Sequence, residues 1–321
     1  MHSNRKGDVM LKYVLKRLGY ILVTLWVIVT CTFFMMKNLP GTPFDAERFS
    51  IMTPQQQERV LEMYGLNDSL PMQYVKYIKN MLKGDLGTSF TYVNQDVSKV
   101  ITGRLGPSAL IGIQAVLIGL AIGLILGILA AWKHNSGIDY FTMILAVLGV
   151  SVPNFVAAAL LQYYIGLKWG ALPVGFWTGW NCSVLPSIAL SFSATAMVAR
   201  FMRTEMLDVL DQDYIVTARA KGLSQMKVLV RHAVRNSILP VVTILGPIVV
   251  NLMTGSLAVE NIFSIPGIGS LFVDCIKAND YPVIMGITIF YAAFYMLIVL
   301  LVDLAYSLID PRIRLAKGKE S

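Results

Sequence analysis

The sequence predicts an all-α, polytopic membrane protein with six transmembrane helices and both termini in the cytoplasm. Of its 321 residues 55% are hydrophobic and only 14% charged, which lies outside the range of soluble globular chains. The apolar residues gather in runs long enough to cross a hydrocarbon core of about 30 Å. Lys and Arg number 5, 1, 7 and 4 in the segments on the side that holds both termini, while the 8 in residues 37–106 lie in a segment long enough to escape the rule. The two short connections on the other side hold only Lys168 and Lys277. The net charge of +8 is therefore a topology signal, and nucleic acid is not an expected partner.

Span one covers residues 18–36, uncharged throughout. Arg5, Lys6, Lys12, Lys16 and Arg17 precede it, but the run is too long for a signal peptide and no A-x-A-like cleavage site follows, so it is expected to stay as an anchor. Residues 37–106 form an extracytoplasmic segment too long to be a mere connection. Two amphipathic helices are legible in it. The first has Thr53 as N-cap, Pro54 at the first helical position and Gln56 completing a capping box, with Val60, Leu61 and Tyr64 on one side. The second follows Ser69, sets Tyr74, Val75, Ile78 and Leu82 at helical spacing and stops at Gly84. The pair either offers a platform to an external partner or covers the outer ends of the spans.

The remaining five spans lie within residues 107–309. Span two, residues 107–132, carries Ala115, Gly119, Gly123, Gly127 and Ala131 every four residues, a ladder that lets helices approach closely in lipid. Spacing leaves open whether its partner lies in this chain or in a second subunit. Span three, 140–168, has Pro153 and Asn154 near its middle, where a proline kinks or interrupts a helix. An outer loop with three of the five tryptophans follows, suited to interfacial anchoring. Span four, 184–198, has Ser187, Ser191 and Thr195 one turn apart; span five, 237–259, has Thr243, Pro247, Asn251 and Thr254 on one stripe. Such stripes either line a solute path or bond between helices. Residues 260–282 form a loop with turn-forming Pro266, Gly267 and Gly269, and span six covers 283–309, before a short basic tail, 310–321.

Residues 213–240 are the long basic segment between two apolar runs, within a cytoplasmic loop at 200–236. Arg219, Lys221, Lys227, Arg231, His232 and Arg235 stand among Ala218, Ala220 and Gly222, so charge and close backbone approach are offered together. That combination suits docking, although contact with anionic lipid would also use the charge.

Several chemistries are missing from the sequence. There is no G-x-x-x-x-G-K-[ST] phosphate loop, and Gly267-x-Gly269 is too little to bind a nucleotide. His2, His134 and His232 are far apart, and Cys31, Cys182 and Cys275 have no metal-ligand spacing, so no metal site is expected. The thiols are expected to be free, with Cys182 and Cys275, both on the outer side, the one pair that a disulfide would join. Asp303 is a lone acid near the inner end of span six, less than a proton-driven transporter normally needs. No acid, base and nucleophile set points to an enzyme.

The segments LKYVLKRLGY, GLNDSLPMQYVKYIKNMLKGDLGTSF, VSVPNF, DYIVTARAKGL, RHAVRN, ENIFSIPGIG, DYP and DPRIR together resemble the B-type permeases of ABC importers for oligopeptides, dipeptides and nickel. The resemblance covers nearly the whole chain and implies the type I ABC importer permease fold, as a multi-pass protein of the bacterial cytoplasmic membrane. It implies that Thr217, Ala218, Arg219, Ala220, Lys221, Gly222 and Leu223 dock a cytoplasmic ATPase, with Ala218 and Gly222 central. The glutamate of the general docking motif falls at Val216, so no carboxylate contact is expected. The partners implied are a homologous C-type permease, two ABC ATPase subunits that bind ATP and Mg, an extracytoplasmic substrate-binding lipoprotein, a peptide substrate and membrane lipid. This chain itself would hold no cofactor. Ser187, Ser191, Thr195, Thr243, Asn251 and Thr254 are the path-lining candidates. The competing readings are a nickel or metal-chelate importer and an ion-coupled secondary transporter acting alone.

Overall fold

The computed structural model describes residues 2–38, 49, 51–63, 65–92, 95–253 and 257–309. Tyr64, Thr254 and the tail 310–321 lie outside the described residues, as does the side chain of Asp303. Among the described residues the architecture is helical, and the one β feature is an isolated bridge between Thr88 and Asp96. In chain order the helices are α1 (His2–Lys37), α2 (Pro54–Met63), α3 (Leu70–Met81), α4 (Val97–Trp132), α5 (Gly137–Ser151) and α6 (Asn154–Leu161). They continue as α7 (Val184–Leu210), α8 (Asp213–Ala220), α9 (Arg235–Met253), α10 (Leu257–Ile262), α11 (Ile268–Lys277) and α12 (Tyr281–Ile309). A π-helical stretch, Gln162–Lys168, prolongs α6, and another, Val228–Val234, leads into α9.

Five stretches, carried by α1, α4, α7, α9 and α12, are long and apolar enough to cross a membrane. The third apolar run of the sequence is broken: α5 and the α6 segment meet at an angle of 102°, and the bent pair makes a sixth span only when both halves are counted as one crossing. The cause is local. Val152 precedes Pro153 and is driven out of the helical region to φ −82°, ψ 118°, which stops α5 before Asn154 opens the next helix. The second span also differs from its sequence boundary. Pro107 does not start it but lies inside α4, which begins at Val97.

The chain divides into two compact units, residues 1–106 with 270–296, and residues 107–269 with 297–321. In the first, the capping box of α2 forms as expected: Thr53 N–H donates to Gln56 Oε1 at 2.9 Å, and Gln56 N–H to Thr53 Oγ1 at 3.4 Å. Phe33 of α1 meets Tyr74 of α3 edge-on at 5.4 Å, and the Tyr74 hydroxyl bonds Thr30 at 2.7 Å. Asp280, fully buried, caps α12 and accepts from the Ser89 hydroxyl and the Phe90 and Thr91 N–H groups, so it ties the stretch just before α4 to the start of α12.

In the second unit the small-residue ladder of α4 meets α7 of the same chain, which decides the question that spacing left open. A Cβ added at Gly119 would lie 2.8 Å from Ala194 Cβ, one at Gly123 2.7 Å from Val198 Cβ, and one at Gly127 2.6 Å from the Ala199 carbonyl. Nearer the start of α4, a Cβ at Gly112 would lie 2.7 Å from Met253 Cα in α9. On another side of α7, a Cβ at Gly149 of α5 would lie 2.9 Å from Ala196 Cβ. Helices this close gain dispersion along their whole contact, the force that replaces the hydrophobic effect within lipid.

Candidate docking and translocation site

Helix α8 is short and exposed, and its sequence explains both how it stays folded and where it stops. Asp213 places an acid in the first turn. Ile215 and Ala218 face inward, buried against Val228, with Val209, Leu210 and Leu223 packed around them. The helix ends in a Schellman motif: the Leu223 N–H reaches the Ala218 carbonyl at 3.4 Å and the Gly222 N–H reaches Arg219 at 3.0 Å. Gly222 takes φ +76°, a conformation that glycine adopts without the Cβ penalty. Ser224 then caps the next turn by accepting the Lys227 N–H at 3.4 Å. Asn236 bonds the Tyr214 hydroxyl at 3.1 Å and closes the loop.

Of the seven docking candidates, Thr217, Arg219, Ala220, Lys221 and Gly222 are exposed and contiguous, and Leu223 is half-buried. Ala218, expected to be central to contact, instead points inward at 6% exposure. Its small side chain lets α8 lie close on Val228, so it seats the helix rather than presenting it. Tyr214, Val216, Met226 and Val230 add exposed apolar surface to the same segment.

The two polar stripes separate. Ser187 is fully buried and donates to the Ile111 carbonyl at 3.2 Å and to the Gln114 side chain at 2.9 Å, an interhelical bond between α7 and α4. Ser191 is buried and donates to Ile188 at 2.8 Å, and Thr195 is half-buried with its backbone against Gly119 and Gly123. Thr243, Pro247 and Asn251 are exposed along one side of α9, with the Thr243 hydroxyl turned back to the Pro240 carbonyl at 2.6 Å. Thr254 lies outside the described residues.

Two polar nodes were not read as sites in the sequence. Glu260, 2% exposed, accepts from the Ser108 hydroxyl at 2.7 Å, and Ser108 in turn accepts the Ile268 N–H at 2.8 Å. A Cβ at Gly267 would lie 2.3 Å from this carboxyl group, and one at Gly269 3.0 Å from it, so the glycines of Pro266-Gly267-Ile268-Gly269 make room for an acid, not for a nucleotide. The available signal was one glutamate in an otherwise apolar stretch. The other node is Asp139 with Arg203, 64 residues apart in the chain. Cys182 and Cys275 are both free thiols, as is Cys31. Burial and the nearby Asp280 and Asp274 push the Cys275 thiol up to about 12.

Residues 123–315 match the family described as binding-protein-dependent transport system inner membrane component, and residues 10–107 match the N-terminal part of such membrane components. The dipeptide transport system permease protein DppB of Lactococcus lactis subsp. cremoris is 46% identical over 95% of this chain and 100% of its own length. DppB of Bacillus subtilis is 43% identical over 96% of this chain and 99% of its own. The oligopeptide transport system permease protein OppB of Escherichia coli K12 is 38% identical over 95% and 100%. Among solved structures, an amino acid ABC transporter aligns at TM-score 0.50 and 20% identity, covering 67% of this chain and 94% of that one. The MetNI methionine ABC transporter in an inward-facing conformation aligns at TM-score 0.50 and 14% identity, covering 68% and 96%. These two likenesses establish the fold, and the sequence matches establish that the chain belongs to the binding-protein-dependent transport system inner membrane components, the permeases of ABC transporters.

Proposed function

We propose that the chain is the B-type permease of an ATP-driven importer of dipeptides or oligopeptides in the bacterial cytoplasmic membrane, with both termini on the cytoplasmic side. The observation that carries the coupling role is α8: an eight-residue helix seated from below by Ile215 and Ala218, stopped by Gly222, and presenting Thr217, Arg219, Ala220 and Lys221 outward. A segment that served only to orient the protein through its charges would not need this fixed geometry. The helix docks an ABC ATPase, which binds ATP and Mg; a second, C-type permease with its own ATPase completes the complex. The exposed Thr243, Pro247 and Asn251 of α9 face the path shared with that second permease. An extracytoplasmic binding lipoprotein delivers the peptide, and the names of the related permeases support peptide as the substrate class.

The mechanism follows from the division of labour. ATP binding draws the ATPases together, α8 moves with its ATPase, and α7, joined to it by the two-residue turn Asp211–Gln212, carries the motion into the spans. Access to the path then alternates between the two sides. The test is purification of the intact complex and uptake of a labelled dipeptide into proteoliposomes. Uptake should require ATP, the binding lipoprotein and both permeases. Uptake by this chain alone, driven by an ion gradient, would overturn the reading.

A further inference from the structure

Helices α5 and α7 are joined by charge. Arg203 of α7 grips Asp139, in the first turn of α5, with two bonds: Nε to Oδ1 at 2.5 Å and a terminal guanidinium nitrogen to Oδ2 at 2.8 Å. Asp139 is 2% exposed, and its Oδ2 also accepts the Asn135 N–H at 3.0 Å and lies 3.1 Å from His134 Nδ1. The carboxylate is therefore held from three directions. Among the described residues it provides the polar link between α5 and α7.

The position of this link in the chain gives it a mechanical meaning. Arg203 is seven residues, about 10 Å of helix, before Leu210, and Val209 and Leu210 pack against the buried face of α8. Asp139 starts the helix whose far end turns by 102° into α6. At that far end α5 meets α7 through Gly149 against Ala196, a contact of small apolar groups. Apolar packing of this kind sets the separation of the two helices but carries no directional bond. A bidentate ion pair fixes both separation and azimuth. A buried pair is also a poor stabiliser beside well-packed apolar residues of similar size, so stability alone is a weak reason to keep one here.

We propose that Asp139 and Arg203 are positioning residues of the transport cycle, a strut that makes α5, and with it the bent segment α6, follow α7 when the docking segment moves. This rests on the reading that residues 217–223 dock an ATPase. Without the strut, α7 shifts against α5 at the Gly149 contact, and hydrolysis proceeds without moving the broken span.

The experiment measures ATP hydrolysis and dipeptide uptake in parallel on the reconstituted complex. Three variants of this chain are compared: D139N, the charge swap D139R/R203D and the apolar pair D139L/R203M. D139N removes the counter-charge of the half-buried Arg203 and is expected to lower thermal stability as well as uptake. D139L/R203M removes the polar link while filling the space, so its melting temperature should stay close to wild type. Its uptake per ATP should nevertheless fall about tenfold, the usual scale of coupling between sites. The charge swap should recover part of the ratio. Wild-type uptake per ATP in the stable D139L/R203M complex would sink the strut alone. Parallel loss of hydrolysis, uptake and stability in all three variants would mark the pair as structural and also refute it. Failure of the ATPases to co-purify with the wild-type chain would refute docking, and the strut with it.

Discussion

The serine stripe of α7 and the threonine–asparagine stripe of α9 look alike in the sequence and end in opposite surroundings. Ser187 and Ser191 are sealed inside the chain, while Thr243 and Asn251 face out of it. The difference comes from the neighbouring helix. The glycines of α4 draw α7 so close that its polar stripe has no path to face, and Ser187 turns its hydroxyl to the Ile111 carbonyl. At α9 the close approach is confined to Gly112, a glycine outside that ladder that meets Leu252 and Met253 near the end of α9, and Thr243 and Asn251 stay exposed. A row of small polar residues therefore does not identify a translocation path. The small residues on the helix opposite decide whether the row is glue or surface.

The α4–α7 contact is most sensitive at the glycine ladder. Gly123→Leu would drive a side chain into Val198 and the Thr195 carbonyl, and is expected to cost 3 kcal/mol or more, above the usual range for overpacking of about 1–3 kcal/mol. Loss of the monodisperse peak in detergent and of expression would show it; a folded, active variant would mean that α4 and α7 are not packed this way. Gly222→Val acts next, because a β-branched residue at positive φ costs about 1–2 kcal/mol. Nothing lies within 4 Å of a Cβ at this position, so the protein should insert normally and the loss should appear as ATPase docking, measured by co-purification.

Ser187→Ala removes a buried interhelical bond and should cost about 1 kcal/mol in thermal unfolding while leaving uptake unchanged. Asn251→Ala, on the exposed stripe of α9, should instead alter uptake. Equal effects of these two variants on uptake would erase the distinction between the stripes. The gentlest test uses thiols. In a chain with Cys31, Cys182 and Cys275 replaced, a hydrophilic thiosulfonate should modify Thr243→Cys and spare Ser191→Cys. Restoring Cys275 should add no labelling at pH 8: a thiol raised to about 12 stays protonated until far above that pH, and only the thiolate reacts.

What the sequence made legible follows the reach of each interaction. The α2 capping box lies within four residues, and it appears as read from Thr53 and Gln56. The spans and the ladder are periodic, and periodicity survives in the fold because one face must be buried along its whole length. Features that depend on partners distant in sequence were out of reach. Ala218 looks like a contact residue until Val228 is found beneath it, and Gly267 and Gly269 look like turn residues until Glu260 is found between them. Pro107 misled in another way. Proline favours the first turn of a helix, yet α4 runs on through it, and the proline only removes the donor to the Gly103 carbonyl four residues back.

The Glu260 node also constrains how this permease can change over evolutionary time. Its carboxyl group occupies space that a Cβ at Gly267 would need, and it is tethered by a hydroxyl that also holds the Ile268 amide. No one of these positions can drift alone: a larger residue at 267 requires a shorter one at 260, which strands the Ser108 hydroxyl 152 residues away. Homologous permeases should therefore exchange residues 257–269 and position 108 as one heritable block. A chimaera that transplants residues 257–269 without their serine partner should assemble poorly even between close relatives.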